Sequence, residues 1–593
     1  MATELRQRRS AVHAAADRAW VKFLWWLAAA LLVANLSLAS VAGTETDIWW
    51  HLAAGQRFWR HGLELSDPYS FTHANQAWVR IDWLFQVLIY PIFSWGGLSA
   101  LLVLRALSLL AGAALLAYNC RRRPAAEGWL LLAITASVWA WSISLRPATA
   151  SLLFTTLWVV LLEEARHGKR RYLWLLPPLM WLWFNIHVAS LAGIMLLGIY
   201  TLGHWLECRA AAQKAEWVWP QSLLLSFVAC FLNPQGWRLV YYPLHFLLVR
   251  SPWRDVILEV QPPHWDTPGT WQCRLLLLLA GLGAVLALRS KPRQFTPLLV
   301  TLVCGGLMNQ AVRHQYQLCV ALVPFAALRL PRPLRWLCGA GALWLALHSL
   351  LALLWLRPPL WALARRESFS ESLMSVLAQG PEGLRIFNDL NGGGYLLYHL
   401  DGRQKVFIDS RTDQVYLRPG FLEDYYTIWL GKPGALALLD RYGVQAVVNN
   451  RVNSEGSPLF GQLKQSGVWT CVSSDMIAEL YVRSELAGQF QPVALPAYLQ
   501  DYLAGVEQAS QNQLQLAEAS WRRSLRDYPQ FANVYQWLAR VNGFQGKRAE
   551  ARRALARAEF YHPQLQGLDQ DWAALGVGWP AWVRYYWLPF WAL

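Results

Sequence analysis

Charge is scarce in this chain. Asp, Glu, Lys and Arg make up 15% of its 593 residues against 55% hydrophobic ones, which excludes a disordered protein and fits an ordinary soluble one poorly. Acidic residues are scarcer than basic ones, 37 against 53, for a formal net charge of +16. Such an excess can signal nucleic acid. Here the basic residues gather in short loops between apolar runs, as cytoplasmic loops of membrane proteins do, so no nucleic-acid partner is expected. The 8 cysteines include no CxxC pair and no His at a metal-ligand spacing, so neither a zinc site nor a disulfide framework is signalled. Cys230, Cys304, Cys319 and Cys338 lie in apolar runs, where Cys behaves as a small hydrophobe. The first apolar run has no small-residue cleavage site after it and is expected to remain as a span.

What the chain has in abundance is aromatic rings: 36 Trp, 22 Tyr and 22 Phe, a load suited to anchoring many spans at membrane interfaces. A span takes about 20 apolar residues. By that measure the chain is a polytopic α-helical membrane protein of about eleven spans, near residues 22–42, 97–118, 128–145, 148–163, 172–186, 188–206, 217–234, 270–288, 294–311, 315–330 and 336–356. With the N-terminus in the cytoplasm, Arg121–Arg123, Arg166–Arg171, Arg209 with Lys214, Arg289–Arg293 and Arg329–Arg335 all fall inside, and the C-terminal region falls outside. The expected location is therefore the cell membrane, the inner one in a two-membrane cell, with the C-terminal domains external or periplasmic.

Three regions follow: a transmembrane domain over 1–356 with a first external loop at 43–96, an external α/β domain over 357–490, and a helical repeat with an aromatic tail over 495–593. Leu384–Asn388, Lys405–Ile408 and Val444–Asn449 read as buried strands, Trp469–Arg483 as a closing hairpin and Lys432–Tyr442 as a helix. Pro529 and Pro563 are 34 residues apart, with Ala517 and Trp521 before the first and Ala551, Leu555 and Ala558 before the second. Tyr535 and Leu538 take the opening aromatic and Leu positions, so the spacing is that of a tetratricopeptide pair able to bind a protein partner. The tail Trp579–Trp591 either caps the repeat or touches the membrane surface.

The first external loop concentrates polar and aromatic residues: Glu45-Thr-Asp47-Ile-Trp-Trp-His51-Leu, Asp67-Pro-Tyr-Ser-Phe-Thr72, and Arg80-Ile-Asp82-Trp-Leu84. Carboxylates just outside a hydrophobic wall are candidates for a raised pKa or for a divalent cation, Mg or Mn, with Asp47 as its ligand. The run around Asp47 and Asp82-Trp83-Leu84 is followed in order by Arg146-Pro147, Trp183-x-Asn185-x-His187, Asn233-Pro234, Glu259 with Pro262-Pro263, and Arg313-His314. Gly393-Gly-Tyr395-Leu and Val406-Phe-Ile-Asp409-Ser-Arg411 complete the series. Taken in that order, from about residue 20 to 485, the motifs resemble a bacterial branch of the GT-C superfamily of membrane glycosyltransferases. The resemblance implies an enzyme that moves a sugar from a polyprenyl-phosphate carrier to a glycan, lipid or protein acceptor on the external face. The chain departs from the family pattern in carrying Asp82 where Glu is expected, and a single Asp47 unless Glu45 is its companion.

A hydroxyl attacking an anomeric carbon needs a base, and Asp47 is the expected one, with His51 and Asp82 beside it. The leaving lipid phosphate is already a stable anion, so it needs positive charge, expected from Arg146, Arg313 and His314. Asn185, His187, Glu259, Asp389, Tyr395, Asp409 and Arg411 are the expected substrate contacts. Most of these residues have a second reading. Asp47 could cap a helix beginning near Ile48. Asp82 could pair with Arg80 or Arg57, Asn185 and His187 could hydrogen-bond between helices, and Asp409 and Arg411 could form an internal ion pair. The glycine-rich stretch Asn388–Gly394 could be turn chemistry. Two other functions stay open: a transporter or flippase of a lipid-linked glycan, with Asn185, His187 and Asn309 lining a path, or a non-catalytic assembly protein acting through its external repeats. Repeated halves with interrupted helices, expected of the former, are not evident.

Overall fold

The structure, a computed structural model, describes residues 46–139, 144–248, 252–267, 269–356, 370–450, 457–475, 477–562, 565–581, 584 and 588. The described chain falls into two compact units. One is drawn from within 102–248 and 254–350, the other from within 46–101, 252–253 and 351–588. The expected first span at 22–42 and Glu45 lie outside the described residues.

Among the described residues five helices are long and apolar enough to cross a membrane: Trp83–Cys120, Pro147–Arg166, Val188–Ala210, Thr270–Arg289 and Pro333–Leu354. Ala125–Trp139, Val218–Ala229 and Thr296–Met308 are shorter apolar helices. The expected boundaries fail where proline or glycine intervenes. Residues 172–186 are not one helix: a 3-10 segment Arg170–Leu175 gives way to Leu176–Ile186, which restarts where Pro177 and Pro178 lack the N–H groups an interior turn would need. The stretch 315–330 is helical only as Val312–Leu322 and a 3-10 turn Val323–Phe325 containing Pro324. Trp83–Cys120 is interrupted at Gly96 and Gly97, the latter at φ +61 and ψ −156, a conformation open to glycine. The two expected spans 172–186 and 188–206 are separated at His187, which is extended at φ −161 and ψ 128.

Inside the first unit helices approach through glycine. A Cβ on Gly283 would lie 1.8 Å from the carbonyl oxygen of Phe325, and one on Gly203 would lie 2.3 Å from Thr296 Oγ1. Charge collects at helix ends. Glu164, in the last turn of Pro147–Arg166, pairs with Arg121 and, at 2.6 Å, with Lys169, while Glu163 accepts from Tyr200 Oη at 2.8 Å.

The second unit contains a five-stranded mixed sheet in the order β2-β1-β3-β5-β4, with β1 Arg385–Phe387, β2 Lys405–Val406, β3 Ala446–Asn450, β4 Trp469–Ser474 and β5 Ala478–Arg483. The first three strands are parallel and β5 runs antiparallel to both β3 and β4. Each lies within or at the edge of its expected stretch, and helix Ala435–Arg441 falls inside the expected 432–442. Helix Leu390–His399 is the crossover from β1 to β2. The edge of β2 is not bare, because Val406 N donates to Tyr69 O and Phe71 N donates to Val406 O, which lays loop residues 69–71 along it.

Farther along, Ala497–Ser510, Leu514–Asp527, Ala532–Phe544 and Arg548–Tyr561 form two helical hairpins around buried Trp521, Phe531, Leu555 and Trp572. Trp521 fits because position 505 is Gly: a Cβ there would stand 2.3 Å from the indole nitrogen. Leu588 of the aromatic tail is buried in this core, and Arg584 pairs with Glu559 at 3.0 Å and Asp569 at 2.5 Å. That part of the tail therefore closes the hairpins.

Candidate functional site

Asp47 is the first residue of helix Asp47–His61, and Asp82 directly precedes the helix that starts at Trp83. The two helices touch at Gly55, where a Cβ would come within 2.3 Å of the Gln86 carbonyl oxygen. This close crossing fixes the carboxylates relative to each other. Asp47 is half-buried, while Asp82 is 5% exposed and its Oδ1 has no hydrogen-bond partner. Burial, with the Asp47 charge as a second cause, holds the Asp82 carboxyl well above the usual carboxylate range. The pair thus combines a half-exposed carboxylate with a buried one that favours its neutral form. Neither alternative salt bridge takes up Asp82: Arg57 pairs with Glu64, Nη2 to Oε1 at 2.9 Å, and Arg80 is turned to Gln86 and the Ala54 carbonyl.

His51, one turn after Asp47, is buried beside Trp50 and Phe85, with Nδ1 3.5 Å from Gln86 Nε2. No cluster of three or more His, Cys, Asp or Glu side chains suited to a metal occurs among the described residues. Asp47 and the bare oxygen of Asp82 are nevertheless hard oxygen donors, suited to a small divalent cation that keeps several waters.

Helix Asp47–His61 packs on helix Leu390–His399. A Cβ on Gly394 would lie 3.0 Å from Trp50 N, and Trp49 meets Tyr395 edge-on at 5.1 Å. The glycine run answers to packing at each position. Gly393 faces the Ile408 carbonyl, where a Cβ would lie at 2.2 Å, and Gly392 donates its N–H to Asp389 Oδ2 at 3.1 Å. Asp389 thereby caps the helix, which puts a carboxylate where an anion would otherwise sit. Asp389 and Tyr395 also line a small cavity with Ser370, Leu373 and Asn450.

Asp409 and Arg411 form an ion pair inside the protein. Arg411 Nε and Nη2 donate to the two Asp409 oxygens at 2.8 and 2.7 Å, and Nη1 donates to Asp67 Oδ1 at 2.7 Å, with all three side chains at 0% exposure. Tyr416 Oη donates to Asp409 at 2.6 Å, and the guanidinium lies over the rings of Tyr69 and Trp78. Asp67 is the partner that the sequence did not supply, because it lies in the first loop, far from the strand it serves.

The remaining expected residues belong to the first unit. Arg146, at the N-cap of Pro147–Arg166, donates from Nη1 to Glu259 at 3.1 Å. In the second turn of the same helix, Ser151 Oγ lies 2.7 Å from His187 Nδ1 and accepts from Trp183 Nε1 at 2.8 Å. Arg313 is the charged neighbour of His187, and His314 Nδ1 donates to the Leu307 carbonyl at 3.0 Å. Asn185 donates to the carbonyls of Trp181 at 2.7 Å and Leu232 at 3.3 Å, tying its helix to the turn that follows Val218–Ala229. Glu259, Arg146, His187 and Arg313 thus gather around the start of one helix, whose N-terminus itself favours anions.

No protein-family model matches the chain, and no curated protein matches it in sequence. Its structure is similar to solved structures of the oligosaccharyltransferase of Archaeoglobus fulgidus. The apo form is 11% identical, with a TM-score of 0.46 over 72% of this chain and 69% of that one. The complex of that enzyme, AglB, with an inhibitory peptide and a dolichol-phosphate is 10% identical, with a TM-score of 0.47 over 79% and 77%. A third, the complex with Zn and sulfate, is 10% identical with a TM-score of 0.42 over 71% and 68%. At these identities and scores the likeness stands as an observation, and any function for the chain has to come from its own residues.

Proposed function

We propose that this chain is a membrane-embedded glycosyltransferase of GT-C type that moves a sugar from a polyprenyl-phosphate-linked donor to an acceptor on the external face, with Asp47 as base. The observation that carries the reading is the carboxylate pair at the head of two crossing helices: Asp82 is buried with one oxygen bare, and Asp47 is half-exposed. Neighbouring carboxylates in unlike surroundings suit a proton-transfer site, because the buried one keeps its proton and leaves the other to act as base.

In the proposed step Asp47 takes the proton of the acceptor hydroxyl as its oxygen bonds to the anomeric carbon. The bond from that carbon to the phosphate oxygen breaks, its electron pair leaves with the phosphate, and the configuration inverts. The developing charge calls for cations, the role proposed for Arg146, Arg313 and His314. A divalent ion held by Asp47 would draw Asp82 into its ionised form as a second oxygen ligand and would add positive charge there. Asn185, His187, Glu259, Asp389 and Tyr395 are proposed substrate contacts. Asp409 and Arg411, locked together in the interior, would act by holding the first loop against the sheet. Topology inside-out from a cytoplasmic N-terminus and a protein partner for the C-terminal hairpins complete the proposal.

The test is transfer of labelled sugar from purified polyprenyl-phosphate sugar in proteoliposomes. Asp47→Asn keeps size and capping ability, and turnover should fall by about a hundredfold or more with folding intact. Near-wild-type transfer by a stable Asp47→Asn would sink the base assignment. No transfer by the wild type across a broad donor panel would sink the enzyme.

A further inference from the structure

Arg274 stands in the second turn of helix Thr270–Arg289, one of the helices long and apolar enough to span a membrane. At 1.5 Å per residue its Cα lies about 6 Å from the start of that helix. The side chain runs back toward the N-terminus, as helical side chains do, and the guanidinium carbon stops 3.4 Å from the ring centroid of Trp265, in the segment before the helix. Nη1 is closed off from solvent and has no hydrogen-bond partner. Among the described residues no carboxylate pairs with this guanidinium, not even that of Asp266, the exposed neighbour of Trp265. Arg146, by contrast, is matched with Glu259 at 3.1 Å. A sheltered, charged N–H without an acceptor is costly, and the partner that suits it best is an oxyanion.

Stacking covers one face of a guanidinium and leaves its N–H groups at the rim, where two of them can grip two oxygens of one phosphate side by side. The helix end adds to this: its N-cap is Gly269, at φ 85 and with no side-chain cap, so the amides of the first turn favour negative charge nearby. The surroundings are apolar and uncovered, with Leu258, Trp265 and Trp271 exposed by 75, 74 and 58%. Exposed indoles at the end of a span belong at a membrane interface, so the anion that meets this rim is one carried by a lipid. We infer that Arg274 and Trp265 form a site for the phosphate of a membrane lipid, the guanidinium donating to its oxygens and the indole fixing the guanidinium plane. The site is at the opposite end of its helix from the basic loop with Arg289, Lys291 and Arg293, and so lies apart from the attraction of that loop for anionic lipids. It does not rest on the glycosyl-transfer reading, because a bulk phospholipid and a polyprenyl phosphate offer the same group.

The test is native mass spectrometry of the full chain released from detergent, with wild type and variant mixed in one sample and offered one probe at a time. The probes are phosphatidylglycerol, polyprenyl phosphate, diacylglycerol as a lipid without phosphate, and inorganic phosphate as a phosphate without lipid. Arg274→Gln removes the charge, and affinity for at least one of the two phosphate lipids should fall about tenfold or more while diacylglycerol is retained equally. A fall for phosphatidylglycerol marks a bulk-lipid site, and a fall for polyprenyl phosphate alone marks a site for the carrier. Trp265→Leu keeps the charge but frees its plane, and the same affinity should fall about two- to fivefold. Arg274→Lys should bind between wild type and Arg274→Gln, since it keeps the charge and loses the fork. Equal retention of both phosphate lipids by folded wild type and Arg274→Gln would overturn the inference and leave Arg274 a snorkelling side chain. So would an equal loss of diacylglycerol, or binding of inorganic phosphate with neither lipid. Should Arg274→Gln fail to fold, wild-type lipid binding by both Arg274→Lys and Trp265→Leu would overturn it as well.

Discussion

Replacing Arg411 by Met keeps the length of the side chain and removes its charge. Three donated hydrogen bonds are lost, two to Asp409 and one to Asp67, and both carboxylates are left at 0% exposure with no cation between them. Breaking a buried ion pair by removing one partner costs about 3–5 kcal/mol, because the stranded charge cannot reach water. For a cooperative unit of this size each kcal/mol lowers the unfolding midpoint by about 2 °C, so Arg411→Met should melt about 6–10 °C below the wild type. Asp67→Asn is milder, about 1–2 kcal/mol, because Arg411 keeps its two bonds to Asp409. The decisive comparison is the double variant. With Arg411 gone, Asp67→Asn removes one stranded charge, so Arg411→Met with Asp67→Asn should melt above Arg411→Met alone. The assay is thermal unfolding of the detergent-solubilised protein followed by tryptophan fluorescence. An Arg411→Met protein within about 2 °C of the wild type, or a double variant worse than both singles combined, would refute the idea that the triad is an internal lock.

Burial and Asp47 raise the folded-state pKa of Asp82, so the folded protein holds this proton more tightly than the unfolded chain. The associated stability is full below the ordinary aspartate pKa and is lost as pH rises through the higher folded value, by at most about 1.4 kcal/mol per pH unit. Unfolding midpoints measured between about pH 5 and pH 9 should fall more steeply for the wild type than for Asp82→Asn, and superimposable curves would count against the assignment. Gly393→Ala drives a methyl to 2.2 Å from the Ile408 carbonyl and should cost about 1–3 kcal/mol or abolish expression. Gly461→Ala, in a helix with nothing within 4 Å, should be neutral or gain up to about 1 kcal/mol, as chemical denaturation would show. Alkaline phosphatase fused after residue 400 should be active if the α/β region is external, and inactivity there would reverse the proposed topology.

The five strands and the two C-terminal hairpins were legible because their signals are local: apolar runs bounded by turns, and a pattern returning after 34 residues. Spans were less legible, because hydropathy registers apolarity and not the missing N–H of Pro177, Pro178 or Pro324. At the site, Asp47, His51 and Asp82 stood out as polar residues beside a hydrophobic wall. Gln86 did not, since an amide among apolar residues near the start of a long helix looks like any other polar interruption. The partnership of Asp67 with Arg411 was illegible for a different reason: no local periodicity links a turn in the first loop to a strand end 344 residues later.

The packing of Gly394 against Trp50 imposes a timetable on synthesis. These two positions are also 344 residues apart, and at a translation rate of about 5–20 residues per second the second follows the first by about 17–70 s. Helix Asp47–His61 is complete in a fraction of that time, yet Trp49 and Trp50 have no sheet domain to lie against until most of the chain has been made. Throughout that interval the indoles that end up buried face whatever surrounds the nascent chain. The helix bearing the proposed base is thus among the earliest parts of the molecule to be made and among the latest to find its native packing.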